Sequence, residues 1–273
     1  MSSDVAVLMS VYKGDNLVHL TKCIESIVQQ SHDAIHLYIA IDGPLEIEVR
    51  DYIFSIGRQV NVTIIDGDSS KGLAFRLNQL IDKAFSSKNN YKFMARMDSD
   101  DISSLERITK QIEFLNANVH IDVVGSDVIE ISEIDEELFY KKMDAEHGVI
   151  VKNIIKKCPF NHPSVMFRMS VFKEGFRYKS ELKNTQDYYL WVDLLAAGKK
   201  FANINEPLLK FRVDNNFHSR RGLDKAINDL NSRVYAFKKL DVLTLSNVFH
   251  TVNLFLLRLA PSFIKKWAYK NLR

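Results

Sequence analysis

The chain has few of the residues that build the more specialised protein classes. Of its 273 residues, only two are cysteine, five are proline and ten are glycine. Cys23 and Cys158 cannot form a disulfide framework, which favours a reducing compartment. Scarce glycine and proline exclude collagen-like and low-complexity chains. We therefore expect an ordinary globular protein.

Long apolar runs and a strong excess of charge are also missing. No run reaches about 18 apolar residues, so the sequence predicts no transmembrane helix, and the N-terminus lacks the basic region of a signal peptide. The formal net charge of +3 is no nucleic-acid signature, so we expect no nucleic-acid partner. What the chain does have is 46% apolar residues, enough for a sizeable core.

Apolar periodicity alternates between strands and helices along the first hundred residues. Near-continuous apolar runs predict four strands buried on both faces, at residues 5–11, 35–41, 60–65 and 91–97. Helical spacing predicts helices at residues 17–30 and 73–85. A short helix is expected after the second strand, ending at about residue 56. This order predicts an α/β fold with a mostly parallel sheet flanked by helices.

The second half of the chain is less regular. Residues 103–117 are predicted to form a helix with a capping box made by Ser103 and Glu106, and residues 132–144 to form a loop. Strands are expected at 122–131 and 201–213, and helices at 185–197 and from Gly222 onward. We expect one main domain over residues 1–215, with halves 1–102 and 103–215, and a helical extension over 216–273.

Carboxylates follow the ends of the predicted strands. Asp42 ends the second strand, Asp66 and Asp68 follow the third, and three aspartates of residues 98–101 follow the fourth. Parallel sheets bind ligands beyond the carboxyl ends of their strands. The sequence therefore predicts a site at this edge of the sheet.

The Asp-Ser-Asp-Asp segment has two interpretations. Asp98 and Asp100 point the same way in an extended chain and could share one hard divalent cation, Mn²⁺ or Mg²⁺, together with substrate phosphates. Alternatively, the segment is a solvated turn in which Asp101 or Ser103 caps the next helix. Its position after a buried strand favours the metal site.

Residues 95–115 resemble the hallmark stretch of family-2 glycosyltransferases, which have the GT-A fold. Six further segments match that family in the same order: 9–15, 40–44, 71–81, 121–128, 158–168 and 185–213. The resemblance covers about residues 4–215 and is strongest to bacterial enzymes that extend a lipid-linked sugar in O-antigen or exopolysaccharide assembly. It implies that residues 1–102 bind a nucleotide sugar and residues 103–215 the acceptor.

The resemblance also implies roles for individual residues on the donor side. Asp98 and Asp100 match the family's D-x-D pair, which implies that Asp100 binds the metal and Asp98 faces the ribose or the metal's water shell. Asp42 matches the aspartate that recognises the base. Tyr12 would stack on the base, or else is a packed aromatic, and Arg76 would contact the nucleotide, or else is an exposed helix arginine.

Two residues of the acceptor half are candidates by the same resemblance. Asp187 matches the aspartate that activates the acceptor hydroxyl, although local sequence alone equally fits an acid placed in the first turn of a helix. His162 lies near the diphosphate in the family and ligates the metal in some members. A lone histidine is otherwise most often structural.

The resemblance implies an inverting transfer of a hexose or N-acetylhexosamine from a UDP-sugar to a lipid-diphosphate-linked saccharide, giving a β-linkage. A sugar-phosphate nucleotidyltransferase is a second hypothesis, but residues 9–15 offer only Lys13 and Gly14 for a triphosphate loop. A non-catalytic carbohydrate-binding scaffold is a third.

The end of the chain is basic. Residues 242–273 contain no Asp or Glu and five cationic residues, Arg258, Lys265, Lys266, Lys270 and Arg273. Interleaved aromatic residues and lysines are typical of segments that lie in a membrane interface. We expect peripheral contact with the cytoplasmic face of the bacterial inner membrane, the alternatives being a helix packed on the main domain or an oligomer contact.

Overall fold

The computed structural model describes residues 4–58, 61–182, 184–213 and 223–260, except the side chains of residues 224 and 225. The strands in these ranges are β1 (Val5–Tyr12), β2 (Ile35–Asp42), β3 (Val62–Ile65), β4 (Phe93–Arg96), β5 (Ile102–Ser103), β6 (Val123–Ile131), β7 (Glu137–Lys141), β8 (Met166–Arg168) and β9 (Phe201–Arg212). The helices are α1 (Leu17–Val28), α2 (Ile47–Ile56), α3 (Leu73–Phe85), α4 (Arg107–Ala117), α5 (His147–Asn153), α6 (Met169–Lys173), α7 (Gln186–Ala196), α8 (Leu223–Leu240) and α9 (Leu245–Leu259).

The strands form one mixed sheet in the order β3-β2-β1-β4-β8-β6-β9-β5, with β7 paired to β6. Strand β1 runs parallel to both β2 and β4, and β2 runs parallel to β3. Strand β8 is antiparallel to its neighbours β4 and β6, and β6 is parallel to β9. The predicted parallel arrangement of the first four strands is confirmed, so their carboxyl ends meet at one edge.

Both faces of the sheet are buried, which explains the continuous apolar runs. Along β1, Val7 packs with α1, α2 and α4, and the next residue, Leu8, packs with α3, α6 and α7 on the opposite face. Alternate residues of a strand point to opposite faces, so burial on both sides requires apolar residues at every position.

Helix α4 begins later than its sequence pattern indicated, and the predicted capping box is wrong. Ser103 belongs to β5, where it pairs with Leu209 of β9. Helix α4 starts at Arg107, and the Glu106 side chain makes no capping hydrogen bond. Sheet pairing thus extends the chain where the local signal favoured a helix.

The prediction of a loop over residues 132–144 is also wrong, because this segment contains β7. The strand pairs antiparallel with β6 only, and four of its five residues are exposed. An exposed edge strand needs no apolar alternation, so periodicity gave no signal for it.

The described residues after position 222 form the helices α8 and α9, as predicted. Helix α8 packs against α7 and α9. The basic residues after position 260 lie outside the described residues. Among the helices that the structure describes, none is long and apolar enough to cross a bilayer.

Arg212 connects the end of β9 to the loop that carries the predicted metal ligands. Its backbone N–H donates to Asp101 Oδ1 at 2.8 Å, and its Nε donates to the Asp100 carbonyl at 2.9 Å. Its other two nitrogens donate to the Ser132 carbonyl at 2.7 Å and to Asp135 at 2.6 Å. This buried guanidinium therefore fixes the position of the loop that contains Asp100 and Asp101.

We expect Arg212→Met to lower the free energy of unfolding by about 3 kcal/mol, because the carbonyls of Asp100 and Ser132 lose their donor and Asp135 loses one of its cationic partners. Lys210→Met on the same strand is the matched control, since its pair with Glu137 is exposed and worth under about 1 kcal/mol. Urea unfolding at pH 7 measures both. Equal losses in the two variants would contradict the role of Arg212.

Candidate active site

The ends of three neighbouring strands bring the predicted donor-side residues to one edge of the sheet. Tyr12 at the end of β1 lies in register beside Asp42 at the end of β2. On the other side of β1, β4 ends at Arg96 and leads directly into Asp98 and Asp100. Asp42, Asp98 and Asp100 therefore lie at or just after the ends of their strands, as predicted, and the roles of all four residues stay predictions.

Asp42 is buried and holds the loop that precedes α3. Its Oδ1 accepts hydrogen bonds from the backbone of Lys71 at 2.7 Å and from Arg76 Nε at 2.9 Å. Its Oδ2 accepts from Ser70 Oγ at 2.9 Å and from the backbone of Gly72 at 3.0 Å. Burial raises the pKa of Asp42, but these hydrogen bonds outweigh it and hold the pKa below its usual range. The predicted contact of Asp42 with a base stays a prediction.

Arg76 is a buried residue, so the alternative of an exposed helix arginine is wrong. Besides Asp42, its guanidinium donates to Gln79 at 2.7 Å and to the Ser69 carbonyl. A Cβ at Gly67 would lie 2.2–2.5 Å from this guanidinium, so glycine at that position makes room for it. Arg76 thus supports Asp42, and its contact with the nucleotide stays a prediction.

Tyr12 has a half-exposed ring at the mouth of the site. The ring lies over Gly14, where a Cβ would come within 2.5–2.7 Å of the ring atoms. Its side chain is 48% exposed, so the alternative of a packed aromatic describes it poorly. An exposed aromatic face can stack on a base.

Three carboxylates form a repulsive cluster beside β1, and one of them was missed from the sequence. Burial raises the pKa of Asp100 to about 7, with further contributions from the charges of Asp98 and Asp15. Burial also raises the pKa of Asp15 to about 6, although its Oδ2 accepts a hydrogen bond from Tyr12 N at 2.8 Å. The sequence feature that could have identified Asp15 is its position, three residues after the end of β1. We name Asp15, Asp98 and Asp100 the acid cluster.

The acid cluster suits a divalent cation that a substrate helps to bind. Among the residues described, no group of three His, Cys, Asp or Glu side chains is arranged to hold a metal ion by itself. Two carboxylates are enough, however, where substrate phosphates and water supply the remaining oxygen ligands of Mg²⁺ or Mn²⁺. Asp98 forms an ion pair with Arg96, and Asp100 makes no such pair within the described ranges. The donor set therefore fits the predicted metal.

The third aspartate of the motif is structural. Asp101 is fully buried and accepts the backbone hydrogen bond of Arg212. It caps no helix, since α4 begins six residues later. Burial raises the pKa of Asp101 well above its usual value.

Asp187 lies in the first turn of α7 and lines a cavity with His162. The cavity, of about 160 Å³, is also lined by Tyr178 and by residues at the start of α3. The Asp187 carboxylate lies 4.0 Å from the Cys158 thiol, whose pKa rises to about 12 through burial and then through the charge of Asp187. Asp187, which the resemblance implies is the general base, and His162 thus line the same cavity.

His162 is held by a partner that sequence analysis missed. Its Nε2 lies 2.9 Å from the hydroxyl of Tyr178. Burial, and then the charge of Arg96, lower the pKa of His162 well below its usual value, so the ring is neutral at pH 7. A neutral imidazole can ligate a metal, and that role stays a prediction.

A second and larger cavity, of about 710 Å³, continues from the first. The two share Leu73, Ala74, Gln186 and Asp187. The larger one extends to Arg233 of α8 and to Leu254 and Arg258 of α9. We call it the α8–α9 cavity. Asp187 therefore lies between the start of α3, whose preceding loop binds Asp42, and the C-terminal helices α8 and α9.

The chain is similar to known glycosyltransferases. The family described as glycosyl transferase family 2 matches residues 7–176. The amylovoran biosynthesis glycosyltransferase AmsE of Erwinia amylovora is 28% identical over 79% of this chain and 79% of that protein. An Escherichia coli protein named UDP-Gal:alpha-D-GlcNAc-diphosphoundecaprenol beta-1,3-galactosyltransferase is 25% identical over 99% of this chain and 98% of its own length.

Two solved structures share the fold. Residues 1–349 of TarS from S. aureus, in complex with UDP, match 93% of this chain and 71% of that one, with a TM-score of 0.69 and 14% identity. The mannosyltransferase PcManGT from Pyrobaculum calidifontis, in complex with GDP-Man and Mn²⁺, matches 99% and 76%, with a TM-score of 0.62 and 11% identity. The predicted GT-A-type α/β fold is confirmed.

We expect Asp42→Asn to destabilise the protein in a pH-dependent way. A lowered pKa in the folded state means that ionised Asp42 contributes stability above its unfolded pKa of about 3.9, and that this contribution is lost as the pH falls through the folded value. The free energy of unfolding should fall by about 3 kcal/mol at pH 7, with a smaller difference at pH 3.

Asp66→Asn is the matched control for Asp42→Asn. Asp66 also follows a strand and pairs with an arginine, Arg50, but this pair is exposed, so its loss should change the stability little. Urea unfolding across pH 3–7 measures both variants. A pH-independent loss in Asp42→Asn would show that the ionised form is not what stabilises the loop.

Proposed function

Because this chain belongs to glycosyl transferase family 2, we propose that it transfers a hexose or N-acetylhexosamine from a UDP-sugar, with inversion, to a lipid-diphosphate-linked saccharide. The product would be a β-linked sugar of a cell-surface polysaccharide, an O-antigen or exopolysaccharide. One observation carries the proposal: Asp187 lines a continuous cavity that begins at the start of α3, where the loop is bound to Asp42.

The edge formed by β1, β2 and β4 is the proposed donor site. Tyr12 would stack on the uracil, and Asp42 with Arg76 would order the loop against the nucleotide. A carboxylate can accept the imide N–H of uracil. The name of the E. coli relative specifies UDP-Gal, and the TarS structure contains UDP, which supports a uridine nucleotide.

Asp98 and Asp100 are the proposed holders of Mn²⁺ or Mg²⁺, with His162 as a further ligand. The PcManGT structure contains Mn²⁺. When bound, the ion would supply neutralisation of the charge that develops on the leaving diphosphate. Asp98 would face the ribose or the water shell of the ion. The raised pKa of Asp100 supports this site, because a cation would relieve the repulsion within the acid cluster.

Asp187 is the proposed general base. An acceptor hydroxyl must lose its proton as it attacks the anomeric carbon, and a carboxylate within hydrogen-bond reach accepts it. Attack opposite the departing UDP is a single displacement, so an α-linked donor gives a β-linked product. The position of Asp187 between the two cavities supports this role, because donor and acceptor would meet there.

Helix α9 supports the proposed membrane contact because its polarity is reversed. Its polar residues Asn247 and Thr251 are buried, whereas apolar side chains face outward, with Leu245 92% and Phe249 68% exposed. Val248, Val252, Leu256 and Leu259 continue this exposed face. An anionic bilayer fits an apolar face that leads into a segment rich in lysine. We therefore propose a peripheral location on the cytoplasmic face of the bacterial inner membrane.

We expect Asp187→Asn to lower turnover by about 10²–10⁴-fold, because the amide cannot accept the proton. Affinity for UDP with Mn²⁺ should not change. Asp193→Asn is the matched control on the same helix, since Asp193 pairs instead with Lys179 and Tyr235. The measurements are a donor screen across nucleotide sugars with Mn²⁺, followed by mass spectrometry of the product on a lipid-diphosphate sugar, and titration calorimetry with UDP.

Other results of that experiment separate the alternatives. Full turnover in Asp187→Asn would show that Asp187 is not the general base. Absence of metal-dependent UDP binding in the wild type would favour a non-catalytic scaffold. We expect Asp100→Ala to lose this binding, and its retention would show that Asp100 does not hold the metal. Turnover of a nucleoside triphosphate with a sugar phosphate would instead identify a nucleotidyltransferase.

We expect Phe249→Ser to weaken binding to phosphatidylglycerol vesicles by about tenfold, because it removes a large apolar side chain from the contact. Ile47→Ser is the matched control, since Ile47 on α2 is 77% exposed but lies outside α9. Vesicle cosedimentation measures both. Equal effects of the two substitutions, or no binding by the wild type, would contradict the membrane contact.

A further inference from the structure

We propose that the α8–α9 cavity contains a phosphate-binding subsite, formed by Arg233, Lys156 and Lys71, which receives the diphosphate of the acceptor. The inference rests on the proposed function and assigns residues to its acceptor side. The cavity is lined by five cationic side chains, which also include Lys157 and Arg258, and by the carboxylates of Asp187 and Asp229.

Two of the five cations are neutralised within the protein. Lys157 Nζ lies 2.8 Å from Asp144, and Arg258 Nε lies 2.8 Å from Asp229. For Arg233, Lys156 and Lys71, no carboxylate of the described chain lies within ion-pair distance. The cavity therefore carries three cationic side chains that no carboxylate of the described residues pairs with.

Arg233 is held in a fixed orientation in spite of this missing partner. Its side chain is 9% exposed, its Nε donates to the Ile155 carbonyl at 2.8 Å, and its Nη1 donates to Ser232 at 3.2 Å. The guanidinium lies 4.2 Å from the ring centroid of Tyr188. Burying a cation without a counter-charge is unfavourable. A rigidly oriented guanidinium is, however, well suited to bind phosphate oxygens.

The position of the cavity favours the acceptor's phosphate over the donor's. None of the proposed donor-site residues Tyr12, Asp42, Asp98 and Asp100 lines it, whereas Asp187 does. Leu254 and Arg258 line it from α9, the helix whose other side is exposed and apolar. A volume of about 710 Å³ can hold a sugar with its diphosphate, and a lipid chain attached there would leave along α9.

The test uses two acceptors, one with a sugar on decyl diphosphate and one with the same sugar on a decyl chain without phosphate. For Lys156→Gln and Arg233→Lys, kcat/KM with the diphosphate acceptor should fall about tenfold, whereas kcat/KM with the phosphate-free acceptor and affinity for UDP should not change. Lys152→Gln is the matched control, because Lys152 is an exposed lysine of α5 outside the cavity lining. Equal losses on both acceptors would overturn the subsite.

A binding measurement separates this inference from the proposed function. Decyl diphosphate should bind the wild-type protein in the presence of saturating UDP and Mn²⁺, and Lys156→Gln should weaken this binding about tenfold. Competition with UDP, or absence of binding, would overturn the subsite even in an active transferase. Binding by a protein that turns over no nucleotide sugar would support the subsite and overturn the proposed function.

Discussion

The hydrogen bonds of the Asp42 carboxylate are the constraint on which the site depends. This carboxylate joins the end of β2 to the loop before α3, and α3 in turn begins at both cavities. Arg76, one turn into the helix, completes the ion pair at 2.9 Å. A buried pair of this kind costs a great deal to break. It therefore holds the edge formed by β1, β2 and β4, the proposed donor site, in a fixed position relative to the cavity that contains Asp187.

Stability alone would favour neither the acid cluster, which concentrates negative charge, nor the cations of the α8–α9 cavity, which concentrate positive charge. Asp15, Asp98 and Asp100 repel one another, and Arg233 is buried with no carboxylate of the described chain within ion-pair distance. Protein sites that bind ligands commonly retain such unfavourable groups, because the ligand supplies the missing charge. A cation on one side and a phosphate on the other would compensate both departures at once.

Sequence analysis predicted the features that depend on local pattern and on order along the chain. Burial on both faces dictates the apolar runs of β1, β2 and β4, so the positions of Asp42 and Asp98 at the sheet edge followed. It did not predict that Arg76 is buried, because this depends on the space left by Gly67. The partnership of His162 with Tyr178, and the place of Arg233 against Tyr188, join segments far apart in the chain, and periodicity carries no information about such contacts. Strand β7 was not predicted, because its residues are exposed and show no apolar alternation.

The proposed membrane contact of α9 would determine where the protein accumulates. A helix with buried polar residues and an outward apolar side leaves apolar area in water, at about 25 cal/mol per Å². A bilayer that buries this apolar area would draw the whole protein to its surface. The relevant concentration would then be the amount of protein per unit area of bilayer. Reaction on such a surface is a two-dimensional search, and its rate would follow the density of acceptors in the plane. Diluting the acceptor among inert lipids would then slow the protein even at a constant bulk concentration.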